Sequence, residues 1–468
     1  DTAGTVIIDG DAKLSVSDSI TVSEANTLDA KTSGVITATI STTAIADLDD
    51  LTGTGNAYTI TVGTAQVTAA ALKAVNAATT VNVTATAVTQ ITGTAADLAD
   101  VYGGGISNLG DETIILTDTT LAAATLTPTV NNYSTVAINA NSVTTLTGTN
   151  AEIVAAYAAD TAGTVIIDGD AKLSVSDNIT STEANTLDAK TSGVITATIS
   201  TTAIADLDDL TGTGNAYTIT VGTASVTAAA LKAVNAATTV AVNGNAVTTI
   251  TGTAADLADV YDGGVSNLGD ETIILTDTTL AAATLTPTVN GYSSVAINAN
   301  SVTTLTGTNA EILAAYTADS NNEVILDLDA KLTLDDSITS GEANTLTTKT
   351  TGVITATITT TAIADLDDLN GTGNAYTITV ADAQVTAAAL KTVNAATTVA
   401  VNGTNVTQIT GSAADLADVY DGGVSNLGDE TIILTDTTLA AATLTPTVNG
   451  YSSVAINANS VTTLTGTN

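Results

Sequence analysis

The chain of 468 residues contains no Cys, Met, Trp, Phe, His or Arg, and its aromatic residues are 11 Tyr. Without Cys there is no disulfide staple and no thiolate chemistry. Without His the commonest general base and the imidazole metal ligand are both gone. Basic residues are scarce: nine, all Lys, stand against 48 acids, for a net charge of −39. Such a surface repels nucleic acid, whose phosphates need a cationic partner, and gains nothing from anionic lipid. No run approaches the roughly 18 apolar residues of a membrane span. No signal peptide opens the chain, and its start at Asp1 without Met reads as that of a mature or excerpted piece. Neither G-x-x-x-x-G-K-[ST] nor G-x-G-x-x-G occurs, so nucleotide binding has no motif to rest on. No enzyme is expected from this inventory.

What is present is aliphatic and repetitive. Apolar residues make up 44% of the chain, enough to bury, and they are Ala, Val, Ile and Leu rather than large rings. A core of small aliphatics suits stacked layers better than a globule. SNLGDETIILTDTTLAAATLTPTV at Ser107–Val130 returns letter for letter at Ser266–Val289 and Ser425–Val448. The large period is 159 residues, which divides the chain into 1–159, 160–318 and a truncated 319–468. Three near-identical copies argue for a polymer-like module, since an active site works from one constellation.

Within each long repeat lies a shorter one. Ile60, Val62 and Val67 follow the spacing apolar, x, apolar, four others, apolar, as do Val81, Val83, Val88; Ile114, Leu116, Leu121; and Val136, Ile138, Val143. Two apolar residues at period two mark a short strand with one buried face. Helical segments follow at Thr68–Ala78, at Thr94–Tyr102 with Asp97 completing a capping-box variant, and at Asn150–Ala159 with Asn150 as cap. Six coils per repeat result, opening near Thr5, Gly34, Ala57, Thr80, Glu112 and Thr135. The first fits the spacing poorly, and a bulge or extra strand is expected around Lys13–Asp18.

Strands joined by a return across the far side must lie parallel, with right-handed crossovers. The expected fold is therefore an α/β repeat, a right-handed parallel β-solenoid with short helices on the return side. One continuous solenoid of about 18 coils is expected rather than separate globules, an elongated rod on the order of 85 Å long.

The offsets resemble those of the leucine-rich repeat, L-x-L-x-x-N-x-L, in which the Asn forms a ladder with backbone groups of adjacent coils. The matching positions here are Asn141 and Asn245 in some coils and Thr43, Thr86 and Thr119 in others, so a mixed ladder is implied. Thr-, Ala- and Asp-rich phrases such as TGVITATITTTAIADLDDLNGTGNAYTITV (Thr351–Val380) resemble the tandem repeats of giant cell-surface proteins of marine cyanobacteria, and of large bacterial adhesins and S-layer-like proteins. That resemblance implies an extracellular or cell-surface location, a structural role and calcium dependence.

The metal candidates are acids of the irregular first coil. Asp9 and Asp11 flank Gly10, with Asp18 seven residues on; the equivalents are Asp168, Asp170, Asp177 and Asp327, Asp329, Asp336. Several carboxylates around a turn are what a hard cation such as calcium seeks. A plain acidic turn satisfied by its own amides is the competing reading. Asp111 and Glu112 are expected in turn and surface roles, Asp47, Asp49 and Asp50 on a solvated face, and the tyrosines as packing posts with wet hydroxyls. The expected function is a structural segment of an extracellular filament or surface layer, associating with copies of itself head to tail or laterally. An adhesin stalk or a module binding glycan, ice or mineral is the alternative.

Overall fold

The computed structural model describes residues 6–467, so the opening of the first coil at Thr5 lies outside the described residues. The chain forms two compact units, Asp1–Val221 with Ala233–Asn243, and Gly222–Lys232 with Gly244–Asn468. In each, short strands alternate with short helices, and every strand pairing is parallel among the described residues. This is a repeat α/β fold.

In the first unit one five-stranded sheet joins Gln66–Thr68, Gln90–Gly93, Thr113–Leu116, Ile138–Ala140 and Val165–Ile167. A second joins Thr120–Ala122, Thr145–Gly148, Lys172–Ile179, Ile195–Ile199 and Ala216–Thr218. The ladders change over within one coil, which carries three strands. Ile106–Ser107 pairs back to Val83–Thr84, Thr113–Leu116 pairs in both directions, and Thr120–Ala122 pairs forward to Thr145–Gly148. The fifth coil thus opens at Ile106, not at Glu112. The second unit builds the same pattern, with sheets running from Ser225–Thr227 to Val324–Leu326 and from Thr279–Ala281 to Ala375–Thr377.

The period-two rule holds, but the register slips in two coils. The bridge between Thr61 and Thr84 sets Val83 beside Ile60 and Ala85 beside Val62. Val83 and Ala85 are fully buried, whereas Val81 is 38% exposed. Pairing of Ile115 with Asn139 likewise makes Ile138 and Ala140 the buried pair and leaves Val136 outside. Val81 and Val136 fit the spacing as well as Val83 and Ile138 do, because a shift of two residues keeps the same strand face.

Helix caps follow local chemistry. Thr68 and Thr94 cap Ala69–Ala77 and Ala95–Tyr102, each hydroxyl accepting a backbone N–H three residues on. Asn150–Thr161 starts one residue earlier than expected: Thr149 is its cap, with Glu152 closing the capping box. The same box, Thr21 with Glu24, starts the unexpected helix Val22–Asp29.

The irregularity expected near Lys13–Asp18 is a bulge. Ser15 faces Thr37 but Ser19 faces Thr39, so two extra residues arch out of the strand. The same bulge lies between Ser174 and Asn178 and between Thr333 and Ser337. Bulges re-aim side chains, and this one carries Asp18, Asp177 or Asp336.

Candidate functional site

The recurrent polar chemistry lies in the joints between coils. Thr79 sits at a part-buried corner: its hydroxyl donates to Tyr58 O of the coil before (2.8 Å) and accepts from Tyr58 N and Val81 N. Thr238 and Thr397 repeat these contacts with Tyr217 and Tyr376. Ser134 joins Glu112 O (2.6 Å), and Thr191 joins Ala171 O (2.6 Å). A hydroxyl satisfies both a donor and an acceptor in a space too small for an amide, which gives the Thr-rich composition a structural purpose. The leucine-rich-repeat analogy placed this ladder wrongly, since Thr43, Thr86, Thr119 and Asn141 are exposed. A buried Asn does contribute elsewhere: Asn56 accepts from Ile36 N (2.9 Å) and donates to Asp29 Oδ1 (2.9 Å), linking three consecutive coils.

A second joint caps several of the helices from the coil after it. Ala95 N donates to Asp118 Oδ2, Ala254 N to Asp277 Oδ2 and Ala413 N to Asp436 Oδ2, each at 2.8 Å. Ile45 N donates to Thr64 Oγ1, and Ile363 N to Asp382 Oδ2, so Asp replaces Thr at one position without loss of the contact. The first backbone N–H groups of a helix lack intrahelical partners and carry partial positive charge, so a carboxylate there is well placed.

This joint absorbs part of the proposed calcium set. Asn150 N donates to Asp177 Oδ1 (2.8 Å), and Asn309 N donates to Asp336 Oδ1 (2.9 Å). Asp9 and Asp168 close local turns through their carbonyls, which accept from Ala12 N and Ala171 N. Asp329 N lies 3.3 Å from Asp327 Oδ1, and a hydrogen bond between these two carboxyls raises the pKa of Asp329. Among the described residues no three acids gather where they could hold a metal ion, so Asp9, Asp11 and Asp18 and their equivalents are not brought together as a ligand set.

Glu112 is the polar residue that sequence reading misplaced. It is fully buried, as are Glu271 and Glu430, while Asp111 beside it is exposed. Its Oε2 accepts from Tyr102 OH (3.0 Å) and from Gly110 N (2.8 Å). The signal was present: Glu112, Ile114 and Leu116 alternate on one face of a strand, and that face is the core. Burial and the adjacent carboxylate push the Tyr102 hydroxyl far above the usual phenol pKa. Tyr58 and Tyr157 also depart from expectation, since their hydroxyls are buried rather than wet.

On the surface, Lys73 bridges Asp97 (3.1 Å) and Asp100 (2.6 Å) of the next helix, and Lys232 and Lys391 repeat the fork. These pairs are solvated and contribute little individually. Asp47, Asp49 and Asp50 are exposed as expected. Between the segment that follows Val22–Asp29 and the turn before Ala57–Thr59 lies an open polar notch of about 580 Å³ lined by Asp29, Lys31, Thr52, Thr54 and Asn56. It recurs at about 480 Å³ around Asp188 and Asn215 and at about 230 Å³ around Thr347 and Asn374.

No helix among the described residues is long and apolar enough to cross a membrane. No family model matches the chain. No curated protein matches it either. Among solved structures, a plant peptide hormone receptor, RGFR1 in complex with RGF2, aligns over 92% of this chain and 81% of its own at 10% identity and a TM-score of 0.15. A likeness at that level carries no argument about this chain.

Proposed function

We propose that this chain is a structural repeat segment of an extracellular filament or cell-surface layer, wound as a right-handed parallel β-solenoid with short helices on the return side. The observation that carries this reading is the joint between successive long repeats. Thr145–Gly148 receives Lys172–Val175 in the register in which Thr304–Gly307 receives Lys331–Leu334. The helix cap across that joint is also remade, by Asp177 once and Asp336 again. A joint that repeats unchanged admits any number of modules, as in other solenoids whose units contact only their neighbours.

The surface location rests on the charge of −39, which keeps long assemblies apart in solution, and on a chain without thiols. No enzymatic role is proposed. An adhesin stalk is the second reading, favoured by the notch that recurs once per repeat and offers hydroxyls and an amide to a polar ligand such as a glycan, with a carboxylate in the first two copies. Negative-stain electron microscopy over a concentration series separates the two. Uniform fibres that lengthen with concentration support end-to-end stacking. Isolated particles at every concentration, with retention on immobilised glycans, support the stalk.

A further inference from the structure

Each long repeat contains a pair of stacked tyrosines. Tyr102, the last residue of Ala95–Tyr102, lies parallel to Tyr133, just beyond the turn Val130–Asn132, with ring centroids 4.6 Å apart and planes 1° from parallel. Tyr261 with Tyr292 (4.6 Å, 1°) and Tyr420 with Tyr451 (4.7 Å, 3°) repeat the arrangement. The first ring of each pair donates its hydroxyl to a buried carboxylate: Tyr102 to Glu112 (3.0 Å), Tyr261 to Glu271 (3.0 Å) and Tyr420 to Glu430 (2.8 Å). Glu112 Oε1 and Glu271 Oε1 have no partner at all.

These are the parts that one-electron oxidation of a phenol requires. Removing an electron makes the O–H strongly acidic, so its proton must leave at the same time. A carboxylate already at hydrogen-bond distance is positioned to take it. The second ring shares the unpaired electron. No other side chain competes, because the chain lacks Cys, Met, Trp and His, and tyrosine is its one readily oxidised residue type.

We propose that each stacked pair is an oxidative cross-linking site, where a haem peroxidase with hydrogen peroxide joins the two rings through a bond between ortho carbons. Each phenol loses one electron to the oxidant and one proton; in the first pair the proton of Tyr102 goes to Glu112 Oε2 and that of Tyr133 to water, while the hydroxyls of Tyr292 and Tyr451 are buried and reach water only as their rings tip outward. The two radicals combine, and each ortho hydrogen then shifts to its ring oxygen and restores the phenol. The two electrons and two protons reduce one peroxide to two waters. Tyr133, half-exposed, is the ring that tips to bring its ortho carbon to the edge of Tyr102. The product ties the helix of one coil covalently to the turn of the next, a staple built without cysteine.

The test is to treat the whole folded chain with a haem peroxidase and hydrogen peroxide, cleave it at acidic residues, and map linked peptides by mass spectrometry. Expected products are Tyr102–Tyr133, Tyr261–Tyr292 and Tyr420–Tyr451 links, each lighter than its parts by two hydrogens, in a chain still monomeric on a denaturing gel. Tyr133→Phe should remove the first link and leave the other two. Glu112→Gln should slow the first link on the order of tenfold or more, with Tyr261–Tyr292 as the internal control for oxidant and fold. Links formed mainly between chains, links dominated by Tyr58 or Tyr157, or the same pairing at the same rate in the urea-unfolded chain would each overturn the proposal.

Discussion

Replacing Asp177 with Ala removes one contact whose surroundings are fully defined. Asp177 sits on a bulge and accepts from Asn150 N at 2.8 Å, across the joint between the first two long repeats. The helix keeps its own cap, since Thr149 still accepts from Glu152 N and Glu152 still accepts from Thr149 N. What is lost is one charge-assisted hydrogen bond and a favourable charge at the helix N-terminus. Because the site is exposed, water replaces the carboxylate, so the cost belongs near the middle of the range for caps, about 1 kcal/mol. Asp336→Ala should cost the same, and the two together about 2 kcal/mol, since the sites share no partner. Asp18 occupies the same bulge of the first repeat but caps no helix among the described residues, so Asp18→Ala should stay within about 0.5 kcal/mol of the parent. Hydrogen exchange reads this locally: protection of the Asn150 amide should fall about fivefold in Asp177→Ala. Equal effects of Asp18→Ala and Asp177→Ala, or an unmoved Asn150 amide, would refute the capping argument.

Val83→Asp places an unpaired charge in the core and should cost about 4 kcal/mol or more in urea unfolding, whereas Val81→Asp, two residues away but partly exposed, should change the unfolding free energy by no more than about 0.5 kcal/mol. Gly93→Ala brings a methyl within 2.5 Å of Ala69 Cβ in the preceding coil and should cost about 1–3 kcal/mol in the same assay. Backbone hydrogen bonds from Thr21, Thr180, Thr308 and Thr339 hold Glu24, Glu183, Glu311 and Glu342 below their ordinary pKa of 4.5, and Lys73 and Lys232 lower Asp97 and Asp256 below 3.8. A folded pKa below the unfolded one gives stability that is complete above the unfolded value and is lost as pH falls through the folded value. Melting temperature should therefore hold down to about pH 5 and drop towards pH 3, even though protonation also relieves the charge repulsion. EGTA should leave the melting curve unmoved, because the acids of the first coil serve turns and a helix cap; a fall on chelation would restore the calcium assignment.

The parts of this fold that were legible in the sequence are those written in local patterns. Ile60, Val62 and Val67 announced a strand and a return, and Thr68 and Thr94 announced helix starts. The same local rules, applied further, would have reached Glu112 on the inner face and the Thr21–Glu24 box. Two slips came from patterns that fit in more than one register: Val81 matches the spacing as well as Val83 does, and only the neighbouring coil decides between them. The joints themselves were not legible. Asp177 reaches Asn150, and Thr79 reaches Tyr58, because the winding sets them opposite one another, and no spacing along one coil states which residue of the next will face it. Asp9, Asp11 and Asp18 drew a metal reading because acids near a turn look alike whether they hold an ion or a backbone amide.

The most direct test of stacked parallel coils uses the absence of cysteine. Ala122, Thr147, Ser174, Thr196 and Ala216 face one another in turn across one sheet, each in a different coil. Ala122→Cys with Ala216→Cys gives two unique spin-label sites four strand spacings apart, about 19 Å along the sheet. A single narrow distance near that value, lengthened by the label arms, is the expected result of pulsed electron–electron resonance. A broad distribution, or one centred far from four strand spacings, would contradict the account.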